Sequence, residues 1–411
     1  MVSPPEGRSA GLGTARRRLM STDASARRAL FAFGGVSFAY FAYAGLFSTY
    51  SPLWLQSLGF GTLAIGSLAS MQSATRIVSP YAWGWLADHT GARTLLLRWA
   101  VGLSLAISFG FLLWTSWGWI AGVTVALFIC TAGVIPINEA ALAHLVSREG
   151  ALDAGRYGRV RVWGSVGFIL AVAGSGFALQ ALGVGMFPGF VIGVLALLLL
   201  AVLRLPTVRE APPVVPDLTG AIAVLRQPVV AWFFAGLFFT VLAHVSLYAF
   251  FSLYLDSLGY AKGAVGLMWA LGVTVEVAWF WFQGRWVHRL SMHGWLLLAA
   301  VVTSLRLAAT AAFGEFAWVL VLAQCTHAIT FAAQHTACIG LINRHFPGRL
   351  RGRGQALYTV IGYGASGVLG GVGGGALSEA YGFGAVFWAA SGAGAIAALC
   401  CARALWLARR A

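Results

Sequence analysis

The sequence predicts an all-α polytopic membrane protein, with twelve transmembrane helices in two pseudo-symmetric six-helix halves. Three observations predict it: long apolar runs, a one-sided distribution of positive charge, and a passage written twice. The chain has 411 residues, 59% hydrophobic and 9% charged, whereas a soluble domain carries about 25% charged residues. Its apolar residues come in runs such as AVGLSLAISFGFLLW (100–114) and FVIGVLALLLLAVL (190–203). A helix needs about 20 mostly apolar residues to cross a bilayer. Twelve such blocks fall near 29–56, 62–87, 94–114, 117–143, 158–181, 185–203, 229–256, 263–284, 294–313, 316–341, 355–378 and 383–403. Backbone polar groups in lipid must be satisfied within their own segment, so each block is helical. The short alternating segments of a β-barrel are absent.

The net charge of +15 raises the question of nucleic acid, and its placement answers it. Of the 27 basic residues, 24 sit in the N-terminal tail, the even-numbered loops or the C-terminal tail. The opposite side holds Lys262, with Asp256, Glu315 and Glu379 nearby. This is the positive-inside bias, which puts both termini in the cytoplasm and supports an even helix count. The five cysteines (Cys130, Cys325, Cys338, Cys400 and Cys401) all fall within apolar blocks. Their spacing fits neither a zinc site nor a disulfide framework, and they read as small apolar residues.

Residues 53–66 read LWLQSLGFGTLAIG and residues 253–266 read LYLDSLGYAKGAVG, with seven of fourteen positions identical at an offset of 200. The first block and its turn into the second are thus repeated by the seventh and its turn into the eighth. Six is even, so the halves share one orientation, and parallel repeats of this kind are related by an axis along the membrane normal. The expected organisation is a disordered basic tail (1–28), a first half (29–203), a cytoplasmic linker (204–228) and a second half with a short C-terminal tail (229–411). Within the linker, Leu218 to Arg226 reads as a short interfacial helix.

The loop after the second block reads GWLADHTGAR, from Gly84 to Arg93. Gly84 suits a close helix approach, Gly91 a tight turn, and Asp88 an ion pair or a helix N-terminus. The loop resembles the Gly-x-Leu-Ala-Asp-x-x-Gly-x-Arg motif of the major facilitator superfamily, and a remnant, GRWVHRL, begins 200 residues on at Gly284. The passages YGRVRVWGSVGF (157–168), SLGYAKGAVGLMWALGVTVEV (257–277) and RGRGQALY (351–358) are similar to the 3-phenylpropionate permease branch, itself similar to the lactose–proton symporters. The resemblance implies the fold of that superfamily. It also implies proton-driven uptake of a small organic solute by alternating access, with Gly84, Asp88, Gly91 and Arg93 latching one state.

Ionisable groups within spans are costly, about 2.5–3.5 kcal/mol each at the bilayer centre on insertion scales, and mark function by default. Arg76 and Glu276 lie 200 residues apart, at equivalent places in the second and eighth blocks. They read either as a structural ion pair between the halves or as two separate groups, one for an anionic substrate and one for a proton. A carboxyl among apolar neighbours is easier to keep neutral than charged, and an arginine beside it reverses that preference. Glu276 alternating between a proton and Arg306 is therefore a coupling device, with His327 and His335 as further proton candidates. The lactose symporters use a similar set, but the acid they carry in the tenth helix is missing here.

Gln324, His327, Phe331 and Gln334 share one stripe of the tenth block, read as cavity lining or as hydrogen-bonded structure. Two histidines eight residues apart lack a third ligand, so no metal is expected. His244, Tyr248 and Phe251 make a similar face on the seventh block. Tyr40, Tyr43, Phe47, Tyr50 and Trp54 line one side of the first, either as packing or as a wall. Candidate substrate contacts are Arg76, Tyr43, Tyr50, His244, Tyr248 and Gln334. In the resembled fold helices 1, 4, 7 and 10 line the cavity, and a partly aromatic pocket with one cation suits an aromatic carboxylate. Glu139, in PINEAALAH, faces Arg159 and Arg161 at the start of the fifth block, as an intracellular gate or a static ion pair.

The expected function is proton symport that imports such a solute across a bacterial cytoplasmic membrane; a sugar–proton symporter and a proton-driven exporter are the alternatives. The fifth block, GSVGFILAVAGSGFALQ, lacks the proline of exporter motifs. There is no His-Glu-x-x-His motif and no sizeable soluble domain, so an enzyme is not expected. The partners expected are the substrate, protons and lipid, with no nucleic acid, no cofactor and a monomeric chain.

Overall fold

The structure is a computed structural model that describes residues 9–148, 151–207 and 219–410. Helix α1 runs Ser9–Ser57 and α2 runs Thr62–Thr90. The spans that follow are α3 (Arg93–Leu112), α4 (Trp117–Ala143), α5 (Arg156–Leu182), α6 (Val184–Leu203), α7 (Pro228–Ser257), α8 (Lys262–Arg285), α9 (Met292–Phe313), α10 (Ala317–His345), α11 (Arg351–Tyr381) and α12 (Phe383–Ala408). Among the described residues eleven helices are long and apolar enough to cross a membrane. The remaining one is α2, whose 29 residues are long enough but include Gln72, Ser73, Thr75 and Arg76. That polarity has a use, since Gln72, Ser73 and Arg76 face the internal cavity rather than lipid.

One expectation needs correcting. The segment taken as a disordered tail is helical from Ser9 onward and continuous with α1. Its run ASARRAL is rich in good helix formers. A short helix of the linker runs Thr219–Leu225. Short caps set the other ends. Ser291 accepts from the Gly294 amide at 3.1 Å to start α9, and Asp153 accepts from the Arg156 amide at 2.9 Å before α5.

The repeated passage folds into the same turn twice. Gly59 N donates to Gln56 O at 2.9 Å and Gly259 N to Asp256 O at 3.0 Å. Phe60 N and Tyr260 N donate to Leu55 O and Leu255 O. Both glycines sit at positive φ, 87° and 82°, where a side chain is strained.

Each half packs around a core to which the other half contributes at the shared face, Val245 and Phe250 to the first and Val172 to the second. The first packs α1 against α5 and α6 around Leu46, Leu97, Ile120 and Phe187. The second packs α7 against α11 and α12 around Phe233 and Phe346 near one end and Phe251 and Phe387 near the other. Large apolar side chains such as Trp99, Leu200, Trp281 and Leu399 are exposed outward, as a lipid-facing surface requires. The halves meet through two equivalent helix pairs, α2 with α11 and α5 with α8.

Candidate functional site

Those two crossings close one end of the space between the halves. Glu379 Oε2, on α11, accepts from Leu63 N at the start of α2 at 3.0 Å. Gln180 Oε1, on α5, accepts from Gly263 N at the start of α8 at 3.0 Å. Leu63 and Gly263 are again 200 apart. Each contact ties one half to the first turn of a helix in the other.

Beyond the crossings lies a cavity of about 490 Å³. Its walls repeat the pseudo-symmetry. Ala69, Gln72, Ser73 and Arg76 on α2 face it, as do Trp269, Gly272, Val273 and Glu276 on α8, each 200 residues on. Phe41, Ser48 and Ser51 on α1 match Val241, Tyr248 and Phe251 on α7. At three of these equivalent pairs a small residue of the first half stands opposite an aromatic of the second: Ser48 and Tyr248, Ser51 and Phe251, Ala69 and Trp269. The second half adds Phe280 from α8 and His327, Phe331 and His335 from α10. Its cavity face is also where the helices widen into π-helical turns, at Ser246–Phe250 in α7, Ala328–Ala333 in α10 and Tyr358–Ala365 in α11. Such turns often mark functional positions.

The charged groups are distributed unequally. Neither Arg76 nor Glu276 makes a hydrogen bond or ion pair among the described residues, and they do not pair with each other. Arg306 is 5% exposed. It donates to Gln324 Oε1 at 2.5 Å, His327 Nδ1 at 3.1 Å and Thr330 Oγ1 at 3.0 Å. It is therefore held within its own half and does not touch Glu276. Arg161 of α5 lines the same cavity as Glu276. Arg161 binds Glu139 at 3.2 Å and lies 4.3 Å from the Phe41 ring centroid. Of the expected gate residues, Arg161 therefore engages Glu139 inside one half and faces the cavity, while Arg159 points out to the surface. His335 Nδ1 lies 3.0 Å from the Tyr358 hydroxyl, which is 3.1 Å from that of Tyr363.

Four residues expected to touch substrate, Tyr43, Tyr50, Gln334 and His244, do not line the cavity. Tyr43 is 2% exposed and packs on Phe47, ring centroids 5.7 Å apart. The Tyr50 hydroxyl donates to Val172 O at 2.5 Å, so it holds α1 to α5 beside the crossing. Gln334 is buried in the packing of α10. His244 lies one layer behind the wall, its Nδ1 2.8 Å from Thr240 O. The residues that sequence reasoning missed, Trp269, Gln72 and Phe280, were signalled by the offset of 200 and by helical spacing from Glu276 or Arg76.

The facilitator-type loop is partly as expected. Gly91 has φ 60° and donates to Ala87 O to end α2. The side chain of Asp88 lies outside the described residues, and Arg93 is the first residue of α3. Gly84 differs from expectation: nothing lies within 4 Å of a Cβ built there. Gly84→Ala should accordingly be tolerated, and helix propensity alone favours it by about 0.5–1 kcal/mol. A thermal-unfolding scan of the purified variant checks this, and a melting point lowered by several degrees would show a hidden close contact. Among the described residues no group of three His, Cys, Asp or Glu comes together as a metal site.

Two helical bundles around a shared cavity lined by both polar and aromatic side chains are the architecture of a membrane solute transporter. A family model described as the MFS_1 like family matches residues 30–389. The chain belongs to that family. It is 29% identical over 359 residues to a probable 3-phenylpropionic acid transporter of Escherichia coli (strain K12), covering 85% of this chain and 91% of that one. It is 27% identical over 354 residues to a maltose permease of Geobacillus stearothermophilus, covering 85% and 87%. Among solved structures, the nucleoside transporter NupG superposes with a TM-score of 0.80 at 16% identity, covering 92% of this chain and 99% of that one. A POT family transporter in complex with a thioalcohol-conjugated peptide gives 0.73 at 13% identity, covering 94% and 96%. At those identities the likeness is one of fold. The protein is a multi-pass membrane transporter of the major facilitator type, moving a small molecule, and is not an enzyme.

Proposed function

We propose that the protein is a proton-coupled symporter that imports a small aromatic carboxylic acid by alternating access. The observation that supports this best is the asymmetry of the matched walls. Where the first half has Ser48, Ser51 and Ala69, the second has Tyr248, Phe251 and Trp269, a surface suited to an aromatic ring. Arg76 faces the same space as a cation without a protein partner among the described residues, suited to the carboxylate. Glu276, at the equivalent point of the other half, is the group to carry the proton, with Arg161 as a cation lining the same cavity. The relative named as a probable 3-phenylpropionic acid transporter fits this reading. The side carrying the termini and the basic loops is taken as cytoplasmic, in a bacterial inner membrane. The crossings at the other face then make this an inward-facing state.

The test is uptake of labelled 3-phenylpropionate into proteoliposomes, with and without an inward proton gradient. Gradient-dependent accumulation supports the reading. Accumulation of maltose or a galactoside instead would move the assignment to a sugar, which the maltose permease relative makes the second reading. Arg76→Gln should weaken binding of the carboxylate by about 100-fold, near 2.7 kcal/mol for a desolvated charge pair that loses one partner. It should leave binding of the uncharged 3-phenylpropionamide within a few-fold. Equal losses for both ligands, measured by calorimetry on purified protein, would remove Arg76 from the carboxylate site.

A further inference from the structure

Tyr363, Tyr358 and His335 form a hydrogen-bonded chain in the second half. The two tyrosines are five residues apart on α11, where an α-helix would set them about 140° apart around its axis. They lie instead within the π-helical turn Tyr358–Ala365, whose i→i+5 bonding brings such residues onto one face. Their hydroxyls are 3.1 Å apart. The Tyr358 hydroxyl also lies 3.0 Å from Nδ1 of His335 on α10. Tyr358 is 7% exposed and is not a cavity wall, whereas Tyr363 and His335 both are. The middle of the chain is therefore sheltered, and its two ends belong to the wall. Those ends sit beside the two charged positions proposed for substrate and proton. A Cβ at Gly364 would come 2.5 Å from the Ile77 side chain, so α11 meets α2 there. Tyr363 and Arg76, the residues just before these, are thus at one level of that seam, and both line the cavity. His335 packs edge-on against Phe280, ring centroids 6.5 Å apart, one helical turn along α8 from Glu276. It also stacks on Phe331 at 6.2 Å, so its ring is held from two sides.

A phenol has one proton to donate, so the chain can run in two directions. If Tyr363 donates to Tyr358 and Tyr358 to His335 Nδ1, Tyr363 has no proton left for the cavity. If Nδ1–H donates to Tyr358 and Tyr358 to Tyr363, the Tyr363 O–H is free to donate to a ligand. Neutral histidine allows both directions. Protonated histidine carries hydrogen on both ring nitrogens, so only the second remains. We infer that Tyr363 donates a hydrogen bond to the carboxylate held by Arg76, and that Tyr358 makes this donor depend on protonation of His335. Tyr363 is then a ligand-contacting residue, Tyr358 a positioning residue and His335 the switch. By linkage the dependence is mutual: a bound carboxylate draws a proton onto His335 as strongly as that proton draws the carboxylate. The inference deepens the reading of the protein as an aromatic-acid symporter, and for the ligand it rests on that reading. The charged and titratable groups that share the cavity with His335 are Arg76 on α2, Arg161 on α5, Glu276 on α8, Arg306 on α9 and His327 on its own helix. Of these, Glu276 would also favour a carboxylate on taking up a proton, so the test must separate it from His335.

The experiment measures dissociation constants of 3-phenylpropionate by calorimetry on the full-length protein in lipid nanodiscs, at about pH 8 and about pH 6. Over that range a carboxylate ligand stays ionised and a histidine commonly titrates. The natural protein is expected to bind about tenfold tighter at the lower pH, a usual strength of coupling between linked sites. In Tyr358→Phe, which cuts the chain and leaves Glu276 in place, the ratio should fall to about twofold or less. In His335→Gln, whose amide can still pair with Tyr358 but does not titrate, it should fall likewise. The ratio is read within each variant, so a general loss of stability cancels. A tenfold ratio that survives in both variants would assign the pH dependence to Glu276 and overturn the inference. Equal binding at the two pH values in the natural protein, still dependent on Arg76, would overturn the chain and keep the aromatic-acid reading. Absence of 3-phenylpropionate binding at both pH values would overturn both. If Tyr358→Phe does not fold, His335→Gln decides between these outcomes.

Discussion

Glu276→Gln is expected to abolish uphill accumulation of solute while sparing solute exchange. The amide has the shape of the protonated acid but cannot release a proton. A proton gradient of one pH unit is worth about 1.4 kcal/mol, or a tenfold concentration ratio for one proton per solute. Proteoliposomes with the natural protein should approach that ratio, and those with the variant should stop at equal concentrations inside and out. Exchange of labelled for unlabelled solute moves no net proton, so it should continue. The substitution should not unfold the chain. Glu276 makes no hydrogen bond or ion pair among the described residues, and Arg161 keeps its 3.2 Å contact with Glu139. A variant that still accumulates solute with normal pH dependence would exclude Glu276 as the proton carrier. His335, linked to Tyr358 and Tyr363, would then be the next group to test.

The sequence disclosed the fold more fully than the site, for physical reasons. Hydropathy is a local property, so the blocks at 263–284, 294–313 and 383–403 correspond to Lys262–Arg285, Met292–Phe313 and Phe383–Ala408 with ends shifted by only a few residues. The repeat was equally legible, because a positive-φ glycine and a turn of fixed length tolerate little change. Helical periodicity tells which residues share a face but not which neighbour that face meets. The aromatic stripe of α1 was visible, yet the Tyr50 phenol was claimed by a carbonyl 122 residues away, and Tyr43 went into the core of its own half. Arg306 looked like the partner of Glu276 because both are charges at depth. Its actual partners, Gln324, His327 and Thr330, are uncharged and give the guanidinium three hydrogen bonds without a counterion. The offset of 200 was the strongest site signal in the sequence. It joins Ala69 to Trp269 and Arg76 to Glu276, and all four face the cavity.

The same offset identifies the second large effect. Gly66 and Gly266 end the two copies of the repeated passage, and each sits where the halves cross. A Cβ at Gly66 would land on the carbonyl oxygen of Gly371, and one at Gly266 on the carbonyl oxygen of Val172 and the hydroxyl of Tyr50. Backbone approaching this closely allows no side chain, so the double variant Gly66→Leu, Gly266→Leu should force the crossings apart. Overpacking costs about 1–3 kcal/mol at each site. The summed cost, about 2–6 kcal/mol, reaches the roughly 5.5 kcal/mol that carries a two-state equilibrium from 99:1 to 1:99. The variant should therefore favour the state open at the face of the α1–α2 and α7–α8 turns. Net uptake and exchange should both fall by at least about tenfold, since each requires the crossings to close once per cycle, and each 1.4 kcal/mol of shifted population is a factor of ten. This separates the variant from Glu276→Gln, in which exchange survives. The state itself is readable with a cysteine at Ser48, a cavity-wall position, in a background with the five native cysteines replaced. An impermeant maleimide applied from the turn side should label the double variant many times faster than the parent protein. Labelling at the parent rate, with transport unimpaired, would show that the glycines pack the halves without gating them.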